Sequence, residues 1–241
     1  MSKPSDDMNR RRFLLGAGGI ALSAAAGCSQ TMDMSAFQMN IDPMSTGAIT
    51  PLRPPIGVDK DITSPDVMYA AVQEGPYSLP AIPYQKVPKQ FRRQIVPNPT
   101  NEPPGTIVVS LKDHFLYYVL PDGDALRYGV GIGKAGFAWS GRANVQYKKE
   151  WPRWTPPPEM IARSPQLAKY AHGQDPGPMN PLGARALYIY QNGRDTGYRI
   201  HGSPEWWSIG QSMSSGCIRL MNQDIIDLYN RVHGKAPIVV G

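Results

Sequence analysis

The sequence predicts a mainly β fold from Gly105 to the C-terminus, a β-sandwich or partly closed barrel of mixed sheets with one or two short peripheral helices. Three observations carry this expectation. Runs of β-branched and aromatic residues of strand length recur from Thr106 onward. Turn-forming pairs such as Asp122-Gly123 and Asn192-Gly193 separate them. Helical periodicity is confined to one stretch beyond Asn222 and one short segment after Pro157.

The elements follow in order. Thr106–Leu111 and Phe115–Leu120 read as adjacent strands, and Pro121-Asp122-Gly123-Asp124 turns the chain into a third, Leu126–Ile132. Further strands are expected at Ala143–Lys148, Ala186–Tyr190, Tyr198–His201 and Ile238–Val240. Pro157 and Pro158 open a short helix that ends near Tyr170. Ile225, Ile226, Leu228, Tyr229 and Val232 fall at helical spacing, with Asn222 as the expected cap and Gly234 as terminator.

The N-terminal part is of another kind. Asn9-Arg10-Arg11-Arg12-Phe13-Leu14 precedes the apolar, small-residue run Leu15–Ala26, so residues 1–28 read as an export signal. Its consecutive arginines followed by Phe-Leu resemble the twin-arginine consensus. Ala25-Ala26-Gly27-Cys28 resembles a lipobox, in which Cys28 would be lipidated; the other reading is a plain cleavage site that discards it. Residues 29–65 lack apolar periodicity and read as a disordered tether, and residues 66–104 as a Pro-rich extended segment packed against the domain. Thirteen of the 25 prolines lie between Gln30 and Gly105, which sets this region apart from the strands that follow.

The charge balance, 25 Lys+Arg against 19 Asp+Glu, is mildly basic. The basic residues are scattered and accompany no nucleic-acid-binding motif, which argues against a nucleic-acid partner. Anionic envelope polymers suit such a chain better. A membrane contact is expected only through a lipid on Cys28.

The second of the two cysteines carries the chemistry. Cys217 stands in Ser214-Ser215-Gly216-Cys217-Ile218-Arg219-Leu220, downstream of Ile200-His201-Gly202-Ser203. A single thiol kept in an oxidising compartment is a liability unless it has a use. His201 ends an expected strand, so a rigid element can hold it as base, and the Gly202 carbonyl can fix its tautomer. The Gly216 and Cys217 N–H groups can form an oxyanion hole. Arg219 lies two residues beyond the nucleophile and can grip a carboxylate or close the pocket wall. Trp206 and Trp207, between base and nucleophile, either pack under a loop or wall a cleft, and Trp154 can do the same opposite. Ser214 and Ser215 are candidate substrate contacts. Tyr170 with residues 173–177 reads as a lid.

The order His-Gly-Ser, a short interval, then Ser-Ser-Gly-Cys-Ile-Arg-Leu resembles the signature of the L,D-transpeptidase (YkuD) family. The resemblance runs from about Gly105 to the C-terminus and takes in Gly131-Ile132-Gly133-Lys134, Trp154-Thr155-Pro156-Pro157, Asn180-Pro181-Leu182-Gly183 and Pro237-Ile238-Val239-Val240. It implies a periplasmic cysteine acyltransferase that attacks peptidoglycan stem tetrapeptides and releases D-alanine. The thioester then passes to a diamino-acid side chain, to water, or to an envelope protein amine. It also implies carbapenem-type β-lactams as inhibitors and no metal or organic cofactor. Many relatives carry a second histidine where this chain has Ser215, so an inactive wall-binding tether stays open as an alternative. A sortase runs His, Cys and Arg in the same order, but needs a longer His-to-Cys interval and a Thr-rich lead.

Overall fold

The computed structural model describes residues 63–134, 139–214 and 216–241, with Ser214 described by its backbone. The export signal with Cys28, nearly all of the tether, and Ser215 lie outside the described residues. The chain runs α1 (Pro65–Met68), β1 (Val72–Glu74), β2 (Tyr77–Leu79), β3 (Gln94–Pro97), β4 (Ile107–Ser110), β5 (Phe115–Val119), β6 (Asp124–Gly129) and β7 (Ile132–Gly133). It continues with β8 (Gly141–Glu150), α2 (Pro158–Arg163), β9 (Arg185–Gln191), β10 (Arg194–Ser203), β11 (Ser212–Ser214), β12 (Ile218–Met221), α3 (Asn222–Arg231) and β13 (Ala236–Val240).

A nine-stranded mixed sheet in the order β12-β10-β9-β8-β13-β4-β5-β6-β3 dominates the described residues, so the mainly β class with few, short helices holds. The β10–β12 and β13–β4 pairs are parallel. The sheet curls towards closure. Gly131, two residues past the end of β6, exchanges both backbone hydrogen bonds (2.8 and 2.9 Å) with Arg219 of the edge strand β12. The short β7–β11 pair extends this seam.

Alternating side chains supply the core. Ile107, Leu116, Leu126, Leu187, Ile189, Ile200 and Leu220 are buried together with Ile225 and Leu228 of α3 and with Val232 just past its end. Each such side chain contributes roughly 1.5–3 kcal/mol by leaving water. A smaller cluster joins Met68, Tyr69, Ile82 and Val87 to Ile209 and Met221, so residues before Gly105 pack on the chain between His201 and α3.

Several elements differ from their sequence signals, among them α1 and the β1–β2 hairpin within the segment expected to be extended. The strand β3 was not expected, because Gln94-Ile95-Val96-Pro97 is short and ends in proline. It pairs with β6 as an edge strand, where a missing N–H is tolerated. The helix after Met221 forms, but Asn222 is its first residue rather than its cap. The Asn222 side-chain oxygen instead accepts from the Ala184 N–H at 2.9 Å. The strand at Ile218–Met221 was legible only as a condition on Cys217, its four residues being too few to show alternation.

A buried polar network ties the smaller cluster to α3. The Arg93 guanidinium lies 2.6 Å from Asp227 but 3.7 Å from Asp224, and the Tyr69 hydroxyl reaches Asp224 at 3.4 Å. Asp224 is fully buried and one of its oxygens has no hydrogen-bond partner. Burial therefore wins over the distant guanidinium and raises the Asp224 carboxyl to about 7. A carboxyl raised in the folded state contributes stability below its unfolded value, near 4, and loses it as pH rises to about 7. His201, lowered to about 4 by burial, works in the opposite sense, adding stability as pH rises from about 4 to 6.5. Wild-type stability should thus vary little across this window. Asp224→Asn should expose the His201 slope, with urea midpoints rising from pH 4.5 to 6.5; equal slopes in both proteins would refute the Asp224 assignment.

Candidate active site

β10 carries the histidine and β12 follows the cysteine. These strands are parallel neighbours, with Ile200 opposite Ile218 and His201 opposite Arg219. One more step of the same register sets Arg199 beside Cys217, whose thiol lies within electrostatic reach of the Arg199 backbone N–H. Partners across a sheet share a face, as do alternate residues along a strand. Ile200, Ile218 and Leu220 point into the core. Arg199, His201, Cys217 and Arg219 therefore share the other face. The pairing of two strands distant in sequence puts Cys217 at the start of the strand that lies next to the one carrying His201.

His201 is buried, with Nδ1 2.6 Å from the Gly202 carbonyl oxygen. A carbonyl only accepts, so Nδ1 carries the proton and Nε2 keeps its lone pair. Burial lowers the imidazole to about 4; the Gly202 carbonyl opposes this, while the charges of Arg219 and Arg199 add to it. The Cys217 thiol is pushed up by burial, against the Arg199 N–H and the charges of the same two arginines. At neutral pH the resting pair is a neutral thiol and a neutral imidazole.

Carboxylates hold both arginines: Glu205 just past the end of β10, and Asp195 near its start. Arg219 Nη1 lies 2.6 Å from Glu205, and Arg199 makes two 2.7 Å contacts with Asp195. The Arg219 backbone is fixed between β10 and Gly131. Gly216 sits at φ 122°, a conformation that side chains rarely adopt, so the turn into Cys217 requires a glycine.

The aromatic candidates are placed differently from one another. Trp206 is half-buried and packs with the smaller cluster, while Trp207, 54% exposed, meets it edge-on at 5.7 Å. Trp154 pairs its backbone with Gln174 and its ring with Tyr170, tying together the long connection between β8 and β9 in which the lid was expected. The backbone of Ser214 ends β11. Sequence reading missed Arg199 and Glu205. The signal for Arg199 was its place two residues before His201 in one strand; Glu205 had none, since its partner depends on a loop fold.

Residues 104–240 match the model of the YkuD family, the L,D-transpeptidase catalytic domain. The chain belongs to the YkuD family. Over 135 residues the YkuD domain is 38% identical to a probable L,D-transpeptidase, ErfK/SrfK, of Escherichia coli K12, covering 52% of this chain and 40% of that relative. The chain thus spans about two fifths of the length of that relative. A crystal structure described as a probable carnitine operon oxidoreductase from Brucella melitensis is 48% identical, covering 62% of this chain and 92% of that one, with a TM-score of 0.45. L,D-transpeptidase 3 from Mycobacterium tuberculosis, solved with a faropenem-derived adduct, is 19% identical, covering 56% of this chain and 59% of that one, with a TM-score of 0.41.

Proposed function

We propose that this protein is an exported cell-envelope L,D-transpeptidase acting on peptidoglycan stem tetrapeptides through a thioester on Cys217. Membership of the YkuD family supports the reaction class. The observation that carries the assignment of roles is the His201 Nδ1 contact with Gly202, which leaves Nε2 as the basic atom on the face that Cys217 shares.

In this reading His201 Nε2 takes the thiol proton as Cys217 Sγ attacks the carbonyl between the third residue and D-alanine. The Gly216 and Cys217 N–H groups stabilise the resulting oxyanion, a contribution of ~3–4 kcal/mol in comparable sites. As the C–N bond breaks, the imidazolium returns the proton to the departing amine of D-alanine. An acceptor amine then loses its proton to Nε2, attacks the thioester and releases the thiol. A diamino-acid side chain gives a 3→3 cross-link, a protein amine anchors that protein to the wall, and water gives carboxypeptidase activity. Carbapenem-type β-lactams acylate the same thiol. Residues 1–28 direct export to the periplasm, and a lipid on Cys28 would hold the protein to a membrane.

Intact-mass measurement of the purified protein with a disaccharide-tetrapeptide tests this reading. The expected result is a Cys217 adduct of the tetrapeptide less D-alanine, free D-alanine in solution, and neither with Cys217→Ala. D-alanine release that survives Cys217→Ala would sink it.

A further inference from the structure

The face that bears Cys217 continues across two more strands as a row of large side chains. Arg199 of β10 is registered with Tyr188 of β9, and Tyr188 with Tyr147 of β8. The guanidinium carbon of Arg199 lies 4.3 Å from the centre of the Tyr188 ring. The Tyr188 and Tyr147 rings stack at 4.2 Å with 17° between their planes. At about 4.8 Å per strand, the row reaches roughly 14 Å from the Cys217 backbone.

Arg199 is only partly used within this row. Its Nη1 donates to Asp195 at 2.7 Å and to the Tyr198 carbonyl at 2.8 Å, and its Nη2 to the other Asp195 oxygen at 2.7 Å. A guanidinium has five N–H donors. Among the described residues, no acceptor meets Nε–H or the second Nη2 hydrogen. These two hydrogens are parallel and form the second fork of the group, the geometry that pairs with a carboxylate. Asp195 clamps the first fork, Tyr188 supports the plane, and 16% of the Arg199 side chain stays exposed. A rigid cation with one fork committed and one open, one strand away from Cys217 and with its charge felt by the thiol, is built to read an anion.

We propose that Arg199 is the carboxylate-recognising residue of this site: its Nε–Nη2 edge binds a free carboxylate on the acyl-donor side of the stem peptide, with the Tyr188–Tyr147 stack beneath the neighbouring chain. This rests on the transpeptidase reading for the identity of the peptide. Two groups supply the same chemistry, the free carboxylate of the γ-linked glutamyl residue and that of a diamino diacid at the third position.

Calorimetric binding to the full chain carrying Cys217→Ala separates recognition from turnover. The probes are a disaccharide-tetrapeptide and three derivatives, each with one carboxylate converted to carboxamide: glutamyl, third residue, or terminal D-alanine. One of the first two should bind about 10-fold or more weakly than the parent, identifying the carboxylate. Adding Arg199→Gln should bring the parent and that carboxamide to equal affinity, and Arg199→Lys should restore only part of the difference. The ligand-side comparison needs no change at position 199, so a folding defect in a variant cannot produce it. Equal binding of all four probes, no binding, a penalty only at the terminal D-alanine, or a penalty that persists with Arg199→Gln would each overturn the proposal. If the unmutated protein turns nothing over yet the carboxamide penalty appears, the transpeptidase reading fails and the Arg199 site stands.

Discussion

Replacing His201 with alanine should lower the rate of thioester formation on Cys217 by about 10²–10⁴-fold, the range expected for removal of a general base. The thiol is held above its usual range by burial, so it does not ionise at neutral pH before substrate arrives. In the proposed mechanism its proton leaves during attack, with Nε2 of the neutral imidazole as the acceptor. The pH dependence follows with a definite sign. Protonating Nε2 removes the base, and burial delays that protonation to about pH 4. Acylation measured by stopped flow should therefore stay level from about pH 5.5 to 8 and fall only as pH drops towards 4. Thiolate absorbance near 240 nm (read against Cys217→Ala) should appear only on the alkaline side of neutrality. An acid limb near the ordinary imidazole value, or strong thiolate absorbance at pH 7, would show an ion pair at rest and refute the neutral-pair description. Full activity in His201→Ala would remove the base assignment itself.

Gly202→Ala should cost the protein both stability and activity. An added Cβ at Gly202 would stand 2.3 Å from the Asn222 side-chain oxygen and 2.8 Å from Ile225 Cγ2. Neither neighbour can retreat cheaply. Asn222 accepts from the buried Ala184 N–H, and Ile225 is part of the main core. Opening that space should cost roughly 3 kcal/mol by overpacking, which lowers the melting temperature of a domain this size by ~6–12 °C. Because the Gly202 carbonyl orients His201, the displaced backbone should also slow acylation at temperatures where the variant remains folded. Thermal denaturation followed by circular dichroism, with acylation rates at 20 °C, checks both effects. A variant that melts with the wild type would show that this end of β10 has slack the geometry denies.

Much of this was legible along the chain. The strands expected at Phe115–Leu120 and Ala186–Tyr190 announced themselves as runs of apolar and aromatic residues of strand length, and form as Phe115–Val119 and Arg185–Gln191. α3 did so through its apolar spacing. The His-Gly-Ser and Ser-Gly-Cys segments pointed to a base and a nucleophile, because a thiol after Ser-Ser-Gly suits few structural uses. β3 and β12 were not announced, since runs of four residues carry too little periodicity to outweigh their neighbours.

The sequence by itself therefore determined the chemical inventory: a mainly β domain, one thiol, one well-placed imidazole, and the family to which they belong. The tertiary structure alone decided who faces whom. Only the parallel register of β10 with β12 sets Arg199 beside Cys217, and only a loop fold sets Glu205 on Arg219. Local patterns encode the period of a strand and its buried face, which depend on residues a few positions apart. Pairing depends on which distant strand the collapsing chain meets, and that is settled by packing the whole core at once.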